Sequence, residues 1–168
     1  MRHATSILKD EDGAVVITAA VMVLVMLTIM GLASVNLSNT EVRISGYESV
    51  YLQNFYTAEG TAMECIEMLE AVDAPKDAGL AWLETTAGGI TADHLVDSSF
   101  WTAGNGSVTP QPSAALPDSQ FVVAYEGVIA GSLGIGRSKK HAYTIYGRSA
   151  TPGRGESIIT IGYLVASK

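Results

Sequence analysis

The chain has 168 residues, a formal net charge of -7 and a single cysteine, and 48% of its residues are hydrophobic. The length fits one modest domain, or one domain and an anchor. The acidic balance excludes a basic stripe able to neutralise nucleic-acid phosphates, and the lone Cys65 excludes an internal disulfide or a multi-cysteine zinc site.

A short polar segment, MRHATSILKDEDG, precedes residues 14–35, AVVITAAVMVLVMLTIMGLASV. That stretch carries no charge, and its only polar side chains are Thr18, Thr28 and Ser34. An apolar run of about 20 residues spans a bilayer core as a helix. A secretory signal places its small-residue cleavage site after the apolar region. Here the obvious processing point, Gly13, comes before it, so the apolar segment is expected to stay on the mature protein. Arg2, His3 and Lys9 flank the N-terminal side, partly offset by Asp10, Glu11 and Asp12, and the next basic residue is Arg43. The positive-inside bias favours a cytoplasmic N-terminus and an exported body. Roughly 130 residues follow the anchor, enough for a small core.

Residues 37–70 hold no proline, and Gly46 and Gly60 are the only breakers. Ile44, Tyr47, Tyr51, Phe55, Ala58, Ala62, Cys65 and Leu69 recur at steps of three and four, the apolar stripe of an amphipathic helix. Glu41, Glu48, Glu59, Glu64, Glu67 and Glu70 fall largely off it. Asn36, Ser38 and Asn39 are mediocre helix formers but not terminators. The spacing therefore predicts one continuous helix over about residues 14–69. Roughly 56 residues at the standard rise would span ~84 Å. The first half must face lipid or other subunits, the second this chain's own domain. Cys65 is expected as a small apolar residue of the core, with an intermolecular disulfide as the sharper alternative.

Residues 71–119 are rich in Ala, Gly, Ser, Thr and Asp and hold Pro75, Pro110, Pro112 and Pro117. Short helices are expected over 77–85 and 91–100, and an irregular loop over 104–119. Trp82, Phe100 and Trp101 are expected at the edge of a small core rather than as adhesive surface residues. The last fifty residues read as three strands, 120–129, 141–149 and 157–166, with turns over 130–140 and 151–155. Three strands with one bare face are marginal, and the amphipathic half of the helix supplies the cover. Arg137, Lys139 and Lys140 around Ser138 read as a solvated turn.

A polar leader ending in glycine, an apolar helix, an amphipathic continuation and a C-terminal sheet resemble a type IV pilin-like protein. Two stretches resemble PilX-type minor pilins: Asp12, Gly13, Ala14, Val15, Val16 and Ile17, followed by Leu27 to Ala33 around Gly31, and the run from Asn54 to Gly60. The strand–turn–strand ending from Tyr143 through Gly153 to Ile161 also fits that family. The fold class expected is α+β and pilin-like: a long N-terminal helix, transmembrane in its first half, packed by its amphipathic second half on a C-terminal antiparallel sheet. The resemblance divides the chain into a leader (1–13), a transmembrane or filament-core half-helix (14–36), an amphipathic half-helix (37–70), a variable loop region (71–119) and the sheet (120–168).

The resemblance implies that a prepilin peptidase cuts between Gly13 and Ala14 and that Ala14 is then N-methylated. It implies residence in the inner membrane, then assembly with major and minor pilins through the pilus assembly platform, ending at the cell surface. No cofactor, metal or nucleic acid is implied. Two departures matter. Mature pilins usually begin with Phe or Met, here Ala14, and most carry a glutamate at the fifth mature position, here Thr18. That carboxylate is thought to pair with a neighbour's amino terminus, a charge pair valuable in a low-dielectric filament core. PilX-type pilins and the tip pseudopilin of type II secretion lack it too, so the departure argues for a minor subunit that primes or caps a filament. The competing readings are a single-pass anchored envelope protein with a partner-binding β domain, and a type II secretion minor pseudopilin.

Catalysis is not expected. Asp93, His94, Asp97, Ser98 and Ser99 crowd one loop, which does not usually supply a triad's geometry. The same acids with Asp118 lack EF-hand spacing. The glycine run from Gly131 to Gly136 lacks the Lys-Ser/Thr and helix start of a phosphate cradle.

Overall fold

A computed structural model of the chain describes residues 4–86, 88–129 and 140–166. One helix, α1, runs unbroken over Ala4–Glu70. It starts earlier than residue 14, so Gly13 and Ala14 lie inside it. Nothing before Ala14 stops a helix: there is no proline, and a lone glycine costs only about 1 kcal/mol. The chain divides into two compact units, Met1–Tyr47 and Glu48–Lys168.

In the first unit, residues 13–47 are exposed along their whole length although most are apolar. Among the described residues α1 is the one helix long and apolar enough to cross a membrane.

The second unit contains the rest of α1 and a five-stranded sheet. The strands are β1 (Leu83–Glu84), β2 (Gln111–Pro112), β3 (Ser119–Val128), β4 (Lys140–Ala150) and β5 (Glu156–Ala166). The order is β1-β3-β4-β5, with β2 also paired to β3. The three long strands form the expected antiparallel meander, within a residue of the expected ends. The two-residue additions differ from expectation: β2 is antiparallel to β3, whereas β1 is parallel to it, Leu83 opposite Val123.

Burial on α1 begins at Asn54. Ala58, Ala62, Cys65 and Leu69 of the expected stripe are fully buried, joined by Asn54 and Thr61. Ile44, Tyr47, Tyr51 and Phe55, on the same stripe, remain exposed. Asn54 meets the turn between β4 and β5, at one end of those strands, and the stripe residues Tyr51 and Phe55 near it have little cover among the described residues. The Asn54 amide donates to the carbonyls of Arg154 at 3.1 Å and Gly155 at 3.3 Å, and the Thr151 hydroxyl donates to Asn54 Oδ1 at 3.0 Å. Helix and sheet approach closely at Gly147. A Cβ there would lie 2.4 Å from the Ala58 carbonyl oxygen and 3.0 Å from the Ala62 Cβ. Small residues on both sides allow that approach.

The helix-facing side of the sheet packs Phe121, Val123, Tyr143 and Ile145 against Ala62, Cys65, Leu69, Trp82 and Leu83. The opposite side is not bare. Val122 and Ala124 are covered by Ile90, Phe100, Trp101 and Val108, with Tyr146 and Ile158 at the margin. β3 is therefore buried on both faces, which is why residues 121–124 read FVVA without alternation.

The middle region supplies that second cover. In place of a helix over 77–85, a 3-10 turn spans Pro75–Asp77, Gly79 takes a left-handed conformation (φ 65°), and Leu83–Glu84 form β1. Pairing with β3 overrides a weak local helix pattern. In place of one helix over 91–100 there are two, α2 (Ala92–Val96) and α3 (Ser98–Ala103). Asp97 divides them. Its carboxylate accepts from the Ser99 amide at 2.8 Å and caps α3. The 104–119 loop is irregular as expected, apart from β2. The turn expected over 130–140, with Arg137, Lys139 and the glycine run from Gly131 to Gly136, lies outside the described residues except for Lys140, the first residue of β4.

Candidate functional site

The residues singled out from the sequence lie on α1. Gly13 and Ala14 sit within the helix, both exposed, with no cap or break between them. Thr18 lies one turn on, and its hydroxyl donates to the Ala14 carbonyl at 2.8 Å. Thr28 donates to Leu24 O at 2.8 Å in the same way. Back-bonding to the i−4 carbonyl satisfies a hydroxyl without any outside partner, as a helix in lipid requires. Gly13, Ala14 and Thr18 are thus within about a turn and a half of one another, whereas Gly31 is about 20 Å further along at the standard rise. A Cβ at Gly31 would meet nothing within 4 Å.

The exposed apolar surface of α1 extends from Val15 to Val35 and onward through Leu37, Val42 and Ile44. Its only side-chain hydroxyl bonds, at Thr18, Thr28 and Thr40, are internal to the helix. Such a surface can pack against lipid or other apolar helices, and it presents no charge from Ala14 to Thr40.

Cys65 is fully buried in the core beneath the sheet. Burial pushes its thiol pKa well up, and the neighbouring Glu64 charge pushes the same way. The structure thus fits a packing residue and leaves an intermolecular disulfide no access. Trp82, Phe100 and Trp101 are all buried. The Trp101 indole donates to Leu95 O at 2.9 Å, and the Arg148 guanidinium lies 5.4 Å from its ring centre.

The loop cluster weighed for catalysis is occupied by local bonds. His94 Nδ1 accepts from the Thr91 amide at 3.2 Å, and its ring stacks on Phe100 at 5.4 Å. Both Asp97 oxygens bond Ser99, by its amide at 2.8 Å and its hydroxyl at 2.7 Å. Those bonds hold the Asp97 carboxyl below the usual carboxylate range. Among the described residues no three His, Cys, Asp or Glu side chains converge as a metal site.

Beyond the end of α1 lies a cleft of about 590 Å³, lined by Glu70, Asp73, Lys76, Asp77, His141 and Tyr143 among others. Tyr125 Oη and His141 Nδ1 share a hydrogen bond of 2.8 Å, and Lys76 Nζ lies 5.7 Å from the Tyr125 ring centre. The Tyr163 hydroxyl donates to Glu70, a bond that pushes the phenol's pKa up.

Four residues that hold this architecture were not singled out from the sequence for these roles. Asn54 fastens the β4–β5 turn, and a polar side chain one turn before Ala58 was its signal. Gly147 sets the helix–sheet spacing, and a glycine inside a strand pattern was its signal. Glu64 anchors the loop before β3, accepting from the Ser113 hydroxyl and from the Ala114 amide at 2.8 Å. Glu84 is buried on β1, and neither it nor Glu64 carries a local signature.

A long N-terminal helix whose later half lies on a largely antiparallel sheet is the layout of the pilin-like fold. Residues 12–61 match the family model described as PilX N-terminal. The match lies within α1 and does not reach the sheet, and over it the chain is similar to PilX-like type IV pilins. No curated protein and no solved structure matches the chain.

Proposed function

We propose that this chain is a pilin, a minor subunit of a type IV pilus that primes or caps filament assembly. A prepilin peptidase cuts between Gly13 and Ala14, and the new terminus at Ala14 is N-methylated. Before assembly the protein sits in the inner membrane as a single-pass subunit, with its N-terminus cytoplasmic and its body periplasmic. The assembly platform then transfers it to the filament, where it contacts major and minor pilins at the cell surface. It acts by polymerising or priming, without catalysis and without a cofactor.

The observation that carries this reading is the hydrogen bond from Thr18 to the Ala14 carbonyl. Thr18 is the fifth residue after the cut. Its side chain is neutral and folded back on its own helix, so it offers no carboxylate to a neighbour's amino terminus. A repeating subunit without that charge pair packs poorly, whereas a subunit used once at an end needs the contact on one side only. Sheared filaments, quantified by mass spectrometry, should contain this chain at trace levels relative to a major subunit. Recovery as the bulk component would overturn the priming or capping role while leaving the pilin reading intact.

A further inference from the structure

The two margins of the sheet are built differently. On the β3 side the edge is shielded by β1 and β2, two residues each, and β2 contains Pro112. β3 is also irregular, with a register shift between Tyr125 and Gly127. These are the devices by which proteins blunt sheet edges. On the other side, β5 is eleven residues long and ends the strand order. Its register with β4 is unbroken from Ala150–Glu156 to Lys140–Ala166. It contains no proline, and its one charge is Glu156, at its first residue. Among the described residues nothing pairs with its outer edge. About five amides and as many carbonyls of such a strand point to the open side.

The side chains along this margin are incompletely covered. Ile159, Ile161, Tyr163 and Val165 share the helix-facing side and are only half-buried, and Leu164 on the other face is 52% exposed. The flank of α1 above is fixed by the Tyr163–Glu70 bond, and Ile66, one turn earlier on that flank, is also half-buried. A strand added at β5 would complete the ladder and cover these residues with alternate side chains.

Charge selects the occupant. On the flank of α1 that carries Glu70, the residues Glu48, Glu59 and Glu67 fall at nearly the same helical phase, whereas Glu64 turns to the loop before β3, and residues 48–73 hold no Lys or Arg. A second copy would bring an equally acidic helix and another net charge of -7 to the same margin. We infer that the outer edge of β5 is a docking site for an extended strand of another polypeptide, in which β-branched residues alternate with Lys or Arg. This goes beyond the filament role and does not depend on cleavage at Gly13.

The test is amide hydrogen exchange on the full chain in detergent micelles, with a synthetic ten-residue peptide of alternating valine and lysine as probe. In the isolated protein every second amide of β5 should exchange rapidly while its neighbours, bonded to β4, are protected. Saturating peptide should slow the rapid set at least tenfold. A glutamate version of the peptide, or one with a central proline, should leave it unchanged. Absence of protection by the lysine peptide would overturn the inference. So would equal protection by either control, edge amides already protected before addition, or protection that grows with protein concentration alone.

Discussion

Glu84 lies on β1 with 3% of its surface exposed, beside a backbone that leaves it little room. A Cβ on Gly89 would fall 2.5 Å from the Glu84 side chain. Burial opposes its charge, but the Ser107 hydroxyl and the Thr86 amide, at 2.8 Å, donate to the carboxylate and outweigh it. The net result holds the carboxyl below its ordinary value of 4.5. The sign of the linkage follows. A group more acidic in the folded chain binds its proton more weakly there than when unfolded. Its stabilisation is complete above the ordinary value and is lost as pH falls through the folded value. Resistance to thermal unfolding should therefore fall below about pH 4.5. Glu84→Gln should cost about 1–3 kcal/mol at neutral pH and flatten that acid limb. An acid limb as steep in the variant as in the parent would show that Glu84 plays no part in it.

At the scale of elements, the contact between α1 and the sheet is set where Asn54 holds the turn between β4 and β5. Asn54→Ala removes two donors and one acceptor from a covered site, a loss of about 1–3 kcal/mol. Helix content by circular dichroism should be unchanged, while amides of residues 151–155 exchange faster. Parental stability with unaltered exchange would contradict the role given to Asn54. This junction also marks how far the sequence could be read. The helix was legible because its apolar positions recur at steps averaging 3.6 residues from Ile44 to Leu69. The strands were legible from β-branched and aromatic runs between turn residues. Where the sheet stops was not legible from spacing, because the stripe keeps its period from Ala58 back through Phe55, Tyr51 and Tyr47; only the change from small to aromatic residues marks the place. The second cover of the sheet was half visible. The unbroken apolar run of β3 signals burial on both faces, but α2, α3 and β1 are too short to show a period of their own. Glu64 and Glu84 acquire partners 49 and 23 residues away, and nothing local announces such bonds.

For the whole molecule, residues 13–47 and the sheet domain follow different rules. The first expose apolar side chains throughout, which water does not tolerate over such a length but lipid or neighbouring helices do. The second closes two cores around one sheet, with every fully covered side-chain nitrogen and oxygen among the described residues satisfied. Gly13 ahead of the apolar run is the sequence feature on which the proposed leader rests. The satisfied Thr18 hydroxyl needed coordinates, since a sequence shows the missing acid but not where the threonine points.

The central claim is that Ala14 becomes the first residue of a filament subunit. Intact mass and N-terminal peptide sequencing of the protein from the native envelope test it most directly. The account predicts a chain that begins with N-methylated Ala14. A mature chain that still begins at Met1 would contradict it and leave α1 as the anchor of an envelope protein that never enters a filament.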